Sequence, residues 1–165
     1  RSSDLEVNFR DVSTLFENGE QFRAVIAELR QHIDQHSIDR IVGVDARGFI
    51  LAGALAATMD LPLTMVRKKG KLPPETMETS YELEYGTATI EIRKDSCAKG
   101  ERVVIVDDLI ATGGTLLAAA RLIKELGATP ALFAAIIDLP ELGGSRKLRE
   151  QGYEVLALCE YSESE

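Results

Sequence analysis

At 165 residues, with 45% apolar and 28% charged side chains, the chain has the size of one domain and the make-up of an ordinary soluble globular protein. Its two cysteines, Cys97 and Cys159, lie too far apart and are too few for a disulfide scaffold, and no apolar run reaches the roughly 18 residues of a membrane span. With 27 acids against 19 bases the net charge is −8, which argues against nucleic acid and against anionic membrane as partners, since both need a positive field. The first residues do not form a signal peptide, so the cytoplasm is the expected location.

In chain order, Phe22, Val25, Ile26, Leu29 and Ile33 recur at helical spacing and predict an amphipathic helix over 20–33. Ile41 to Val44 is a short buried strand, Gly48 to Met59 an Ala- and Leu-rich buried helix, and Leu61 to Val66 a second strand. From Arg67 to Ser80 the periodicity fails: a basic cluster, Gly70 and the adjacent Pro73 and Pro74 predict a long functional loop. Thr87 to Arg93 alternates as a half-exposed strand does, and 81–93 reads as a hairpin-like antiparallel flap. Arg102 to Val106 is a buried strand, and Gly114 to Leu126 a helix stopped by Gly127. Ala131 to Ile137 is a strand, Glu141 to Gln151 a weak helix ended by Gly152, and Val155 to Leu158 a last strand before an acidic, frayed tail from Glu160 to Glu165. Strands alternating with helices predict an α/β fold with a doubly wound, mostly parallel sheet. In such sheets ligands sit beyond the carboxyl ends of the strands.

One of those ends stands out. The strand Val103 to Val106 runs into Asp107-Asp108 and then, after Leu109 and Ile110, into Ala111-Thr112-Gly113-Gly114-Thr115 at a helix start. A loop of small residues at a helix N-terminus offers amide N–H groups and hydroxyls to an anion, and it needs no net positive charge. The carboxylates cannot be phosphate ligands, but they can bind sugar hydroxyls or help hold a divalent cation. Together the parts describe a socket for a ribose that carries a phosphate. No Lys follows the glycines, so this is not a Walker loop, and no G-x-G-x-x-G fingerprint occurs.

This stretch resembles the phosphoribosyl-pyrophosphate motif of the type I phosphoribosyltransferases. Phe9-Arg10-Asp11, Val44 to Phe49, Arg67 to Pro73, Ser80 to Thr87 and Asp138 to Gly144 match the adenine-using branch of that family in order, so the likeness spans about residues 9–158. The resemblance implies a single domain over 1–165 on the type I phosphoribosyltransferase fold. In it, 1–19 would form a small N-terminal hood for base recognition, and 67–86 a mobile catalytic lid. It also implies the reaction: adenine plus phosphoribosyl pyrophosphate gives AMP plus pyrophosphate, with Mg2+, in a homodimer whose contact face could be the 48–59 helix. Another purine base, or a non-catalytic sensor of phosphoribosyl pyrophosphate, are the alternatives.

By the same resemblance, Asp107 and Asp108 would take the ribose hydroxyls, and Ala111, Thr112, Gly113, Gly114 and Thr115 the 5-phosphate. Arg47 would grip pyrophosphate in a loop whose Asp45–Ala46 bond is cis in the family. Arg67, Lys68 and Lys71 would contact phosphate from the lid. Glu84 would be the catalytic acid–base group, with Tyr85 beside it in the closed lid. Val7, Asn8, Phe9 and Arg10, with Leu139 on the other ring face, would recognise the base. Arg10 would either anchor its own segment through Asp11 or reach the ligand. No protein ligand is assigned directly to the metal, which would arrive with the polyphosphate. The approach to Phe9, Ser3 to Asn8, lacks the family's proline and glycine. His32 and His36 have metal-ligand spacing on a helix, yet without a third ligand nearby they read as surface residues.

Overall fold

The computed structural model describes residues 12–162. A short helix α1 (Ser13–Phe16) leads into α2 (Gly19–Ile33), whose Val25, Ile26, Leu29 and Ile33 are buried. The Asn18 side chain caps α2 by accepting from the Gln21 amide at 3.0 Å. There follow β1 (Arg40–Val44), α3 (Gly48–Met59), β2 (Leu63–Lys68), β3 (Thr76–Leu83), β4 (Gly86–Arg93), β5 (Arg102–Val106) and the two-residue β6 (Leu109–Ile110). The chain ends with α4 (Gly114–Glu125), β7 (Thr129–Asp138), α5 (Gly144–Glu150) and β8 (Val155–Glu160).

Parallel pairing joins β2, β1, β5, β7 and β8, while β4 and β3 add an antiparallel edge beside β2. β6 resumes β5's line against β7, pairing Leu109 with Ile137 after the break at Asp107 and Asp108. The residues of β1, β5 and β7 are almost all buried because helices cover both faces. Ile41, Val104, Leu132 and Ala134 pack with α2 and α3; Val42, Val103, Ile105 and Phe133 pack with α4. This is the doubly wound α/β sheet that the sequence predicts. From β1 the chain crosses through α3 outward to β2, and from β5 through α4 to β7 on the other side. The order therefore reverses between β1 and β5, and a crevice opens there beyond the strand ends.

Three expectations need correction. The irregular stretch expected over 67–80 shrinks to 69–75, because β2 continues to Lys68 and Thr76–Leu83 is a full strand in register with β4 from Thr76↔Arg93 to Leu83↔Gly86. The weak helix expected over 141–151 splits at Gly143 (φ 85°) into a 3-10 turn, Pro140–Leu142, and α5. Glu160 belongs to β8 rather than to a frayed tail, and the Tyr161 amide donates to the Asp138 carbonyl at 3.0 Å. His36 faces Glu154 at 3.6 Å, and its Nδ1 lies 3.1 Å from the His32 carbonyl.

Candidate active site

Three chain segments meet at the crevice between β1 and β5. The first is the turn after β1, where the Asp45–Ala46 peptide is cis and Arg47 precedes α3. Gly48 opens that helix hard against the end of β5: a Cβ there would sit 2.7 Å from the Val106 carbonyl oxygen. Only glycine permits this approach, which brings Arg47 within reach of the neighbouring strand end. The Arg47 Nε donates to Asp108 Oδ2 at 2.5 Å, so one bond spans the switch point. Asp108 is 4% exposed, whereas the Arg47 side chain is 60% exposed.

The second segment is Asp107 to Thr115. The Asp108 carbonyl accepts from both Ile136 and Ile137 at 3.1 Å, and the Asp107 amide donates to the Ala134 carbonyl, so β7 fixes the path of the acids. Burial, with the Asp108 carboxyl beside it, pushes the Asp107 carboxyl up to about 8. Gly113 caps α4 in the left-handed region (φ 87°), a turn that swings the loop back over the helix start. Gly144 braces it by donating to the Ala111 carbonyl at 2.9 Å. The first amides of α4 have no acceptor inside the helix and present positive dipole ends outward.

The third segment is the β3–β4 hairpin, which crosses over the start of α4. The Tyr81 hydroxyl meets Thr115 Oγ1 at 2.5 Å, and Arg121 donates to the Ser80 carbonyl at 3.1 Å. A cleft of about 330 Å³ lies between the hairpin and the loop. It is lined by Tyr81, Glu82, Leu83 and Glu84 on one side, by Asp107 and Ala111 to Thr115 on the other, and by Lys147 of α5.

Of the residues singled out in the sequence, the structure gathers Glu84, Asp107 and the whole 111–115 loop around one cavity, with Asp108 and Arg47 paired behind it. Arg67 and Lys68 stand apart from that cavity. The Arg67 Nε and the Lys68 amide both donate to Asp45 Oδ2, at 3.2 and 3.4 Å, and the Arg67 guanidinium stacks over Phe49. Lys71 is exposed beyond β2. Tyr85 sits at the hairpin tip, 90% exposed and outside the lining. Leu139, half-buried, donates its amide to the Ile110 carbonyl at 3.0 Å. Val7, Asn8, Phe9 and Arg10 lie outside the described residues. Sequence reasoning missed Lys147, which has no local signal to separate it from Arg146 and Arg149, and Tyr81, whose role emerges only once β3 is seen to cross α4.

A doubly wound sheet with an acidic strand end and an amide-rich helix start at its switch point defines a class of nucleotide- and sugar-phosphate-handling proteins. The phosphoribosyl transferase domain family model matches residues 11–155. An adenine phosphoribosyltransferase of Marinobacter nauticus is 51% identical over 94% of this chain and 86% of its own length. The crystal structure of adenine phosphoribosyltransferase from Thermoanaerobacter pseudethanolicus superposes with a TM-score of 0.89 at 38% identity, covering 94% of this chain and 90% of that one. The Trypanosoma brucei enzyme, solved with AMP, pyrophosphate and ribose-5-phosphate, gives a TM-score of 0.82 at 31% identity over 91% of this chain and 68% of that one. The chain thus belongs to the phosphoribosyltransferase family, in its adenine phosphoribosyltransferase branch.

Proposed function

We propose that this chain transfers the 5-phosphoribosyl group of phosphoribosyl pyrophosphate to adenine, giving AMP and pyrophosphate. The observation that carries this reading is the single cleft in which Glu84 faces Asp107 and the 111–115 loop. In this reading the amides at the start of α4 and the hydroxyls of Thr112 and Thr115 take the 5-phosphate. Asp107 and Asp108 hydrogen-bond the ribose hydroxyls, and the Arg47 guanidinium holds Asp108 in place. Arg47, Arg67, Lys68 and Lys71 neutralise the pyrophosphate as its bond to C1′ breaks. N9 of adenine then bonds to C1′, and its proton passes to Glu84. Phe9, Arg10, Val7, Asn8 and Leu139 hold the base, and Tyr85 covers the cleft when the lid closes.

Among the described residues no group of three or more His, Cys, Asp or Glu is arranged to hold a metal ion. The donor set, a cleft carboxylate beside a polyphosphate site, fits Mg2+ carried in by the donor's own oxygens, and Asp107 is a cleft carboxylate that would help hold it. Bound there, the ion would neutralise charge on the departing pyrophosphate. Residues 1–165 act as one unit, with 1–19 recognising the base and 67–86 serving as the lid. The unit is a cytoplasmic homodimer that buries the outer face of α3.

The test is pyrophosphate release with adenine and phosphoribosyl pyrophosphate. Turnover with adenine, reduced about 100-fold or more in kcat by Glu84→Ala, supports the reading. Donor binding without turnover on any purine base would leave a sensor instead of an enzyme.

A further inference from the structure

Glu91 lies in the middle of β4, where the alternation of Thr87 to Arg93 predicts an outward, solvated residue. It is instead 4% exposed. Its neighbours Ile90 and Ile92 enter the core on the α4 face, so Glu91 points to the opposite side of the sheet. A buried carboxylate must be satisfied. Its Oε2 accepts from three successive main-chain amides, Gly70 at 3.1 Å, Lys71 at 3.1 Å and Leu72 at 3.0 Å. Three amides converging on one oxygen form a nest, the arrangement that elsewhere receives a phosphate oxygen. Here an internal acid fills it, gripping the short irregular stretch between β2 and β3 by its backbone.

The grip spends no cationic side chain. Arg67 is turned to Asp45 and Lys69 to Glu78 at 3.3 Å, while Lys68 and Lys71 stay exposed beside the clamped turn. We propose that Glu91 is a positioning residue for the phosphoribosyl donor: by clamping the 70–72 amides it fixes the turn that aims Lys71 at the polyphosphate. This rests on the proposed reading of Lys71 as a phosphate contact.

The experiment compares Glu91→Ala, Glu91→Gln, Lys71→Ala and the Glu91→Ala/Lys71→Ala double variant. Hydrogen exchange over 69–73 and the KM values for both substrates are measured. Expected for Glu91→Ala is exchange at 70–72 faster by about tenfold or more. Donor KM should rise by about tenfold, with adenine KM changed less than about twofold. Glu91→Gln, which keeps an acceptor oxygen, recovers most of both effects. Lys71→Ala raises donor KM without loosening the 70–72 amides, and adding Glu91→Ala to it raises donor KM little further. Should Glu91→Ala not fold, Glu91→Met keeps the volume, removes the acceptor and makes the same comparison. Unchanged exchange at 70–72, or an unchanged donor KM in a variant whose exchange has risen, overturns the proposal. An unchanged donor KM in Lys71→Ala overturns the assignment of Lys71 instead, and the two failures are thereby told apart.

Discussion

Asp107 and Asp108 are adjacent, yet the fold treats them differently. Asp108 is buried and held by Arg47, whereas Asp107 lines the cleft with its carboxyl pushed up to about 8. A carboxyl raised on folding binds its proton more tightly in the native state than in the unfolded chain. Its contribution is complete below the ordinary carboxylate range and is lost as pH climbs through about 8. The ligand-free protein should therefore lose thermal stability between pH 4 and pH 9, and Asp107→Asn, which mimics the neutral acid, should flatten that loss. At pH 9 the variant should melt higher than its parent by roughly 5 °C, with the gap closing toward pH 4, as scanning calorimetry across pH would read. Arg47→Ala makes the converse case by leaving Asp108 buried without its partner. The cost in urea unfolding should be about 1–2 kcal/mol, below the range for a fully buried pair because the guanidinium is mostly exposed. Arg47→Lys should recover little, because a point ammonium lacks the planar donor fork with which the guanidinium meets the Asp108 carboxylate.

Among the elements, the β3–β4 hairpin gives the sharpest expectation. Tyr81→Phe keeps the ring against Gly114 and removes only the hydroxyl contact with Thr115. Stability should fall by no more than about 1 kcal/mol, while donor KM rises severalfold because the hairpin whose turn carries Glu84 loses one of its ties to α4. Steady-state kinetics beside a denaturation curve separates the two effects. This hairpin is also where the sequence was least legible. The bounds of β5 and α3 follow directly from their apolar runs, since both are buried and their periodicity is unbroken. β3 has no wholly buried face: it alternates between half-buried and exposed residues, follows two prolines, and is stabilised by contacts to α4 that lie over 30 residues away in sequence. Glu91 misled for a related reason. Its alternation marks it as outward, and only the distant 70–72 turn reveals that outward there means covered. The 111–115 loop and Asp107 were readable because strand, acids, glycines and helix are contiguous, whereas Lys147 comes from another segment altogether.

For the whole molecule, α3 is apolar nearly all the way round, although only one face enters the core through Leu51, Ala52 and Leu55. Ile50 remains exposed on it, and Leu63 and Met65 of β2 are exposed on the same side of the sheet, in register with Ile41 and Gly43. Such a patch suits the proposed homodimer. Ile50→Glu with Met65→Lys should move the sedimentation coefficient from dimer toward monomer, and the parent sedimenting as a monomer would end the dimer reading.

The double anchorage of the Asp108 carbonyl on β7 bears on how function arises during folding. The 107–115 loop holds its acids, hydroxyls and glycines within nine residues, but its shape is borrowed from amides at 136 and 137 and from Gly144. Those contacts close loops of nearly thirty residues or more and belong to a parallel sheet, the kind of pairing that forms late. A nascent chain that has emerged only as far as α4 carries every group of the motif and none of its arrangement. On the proposed reading of this loop, affinity for the donor is a property of the finished sheet, and its appearance during refolding would time the docking of β7 rather than the formation of the loop itself.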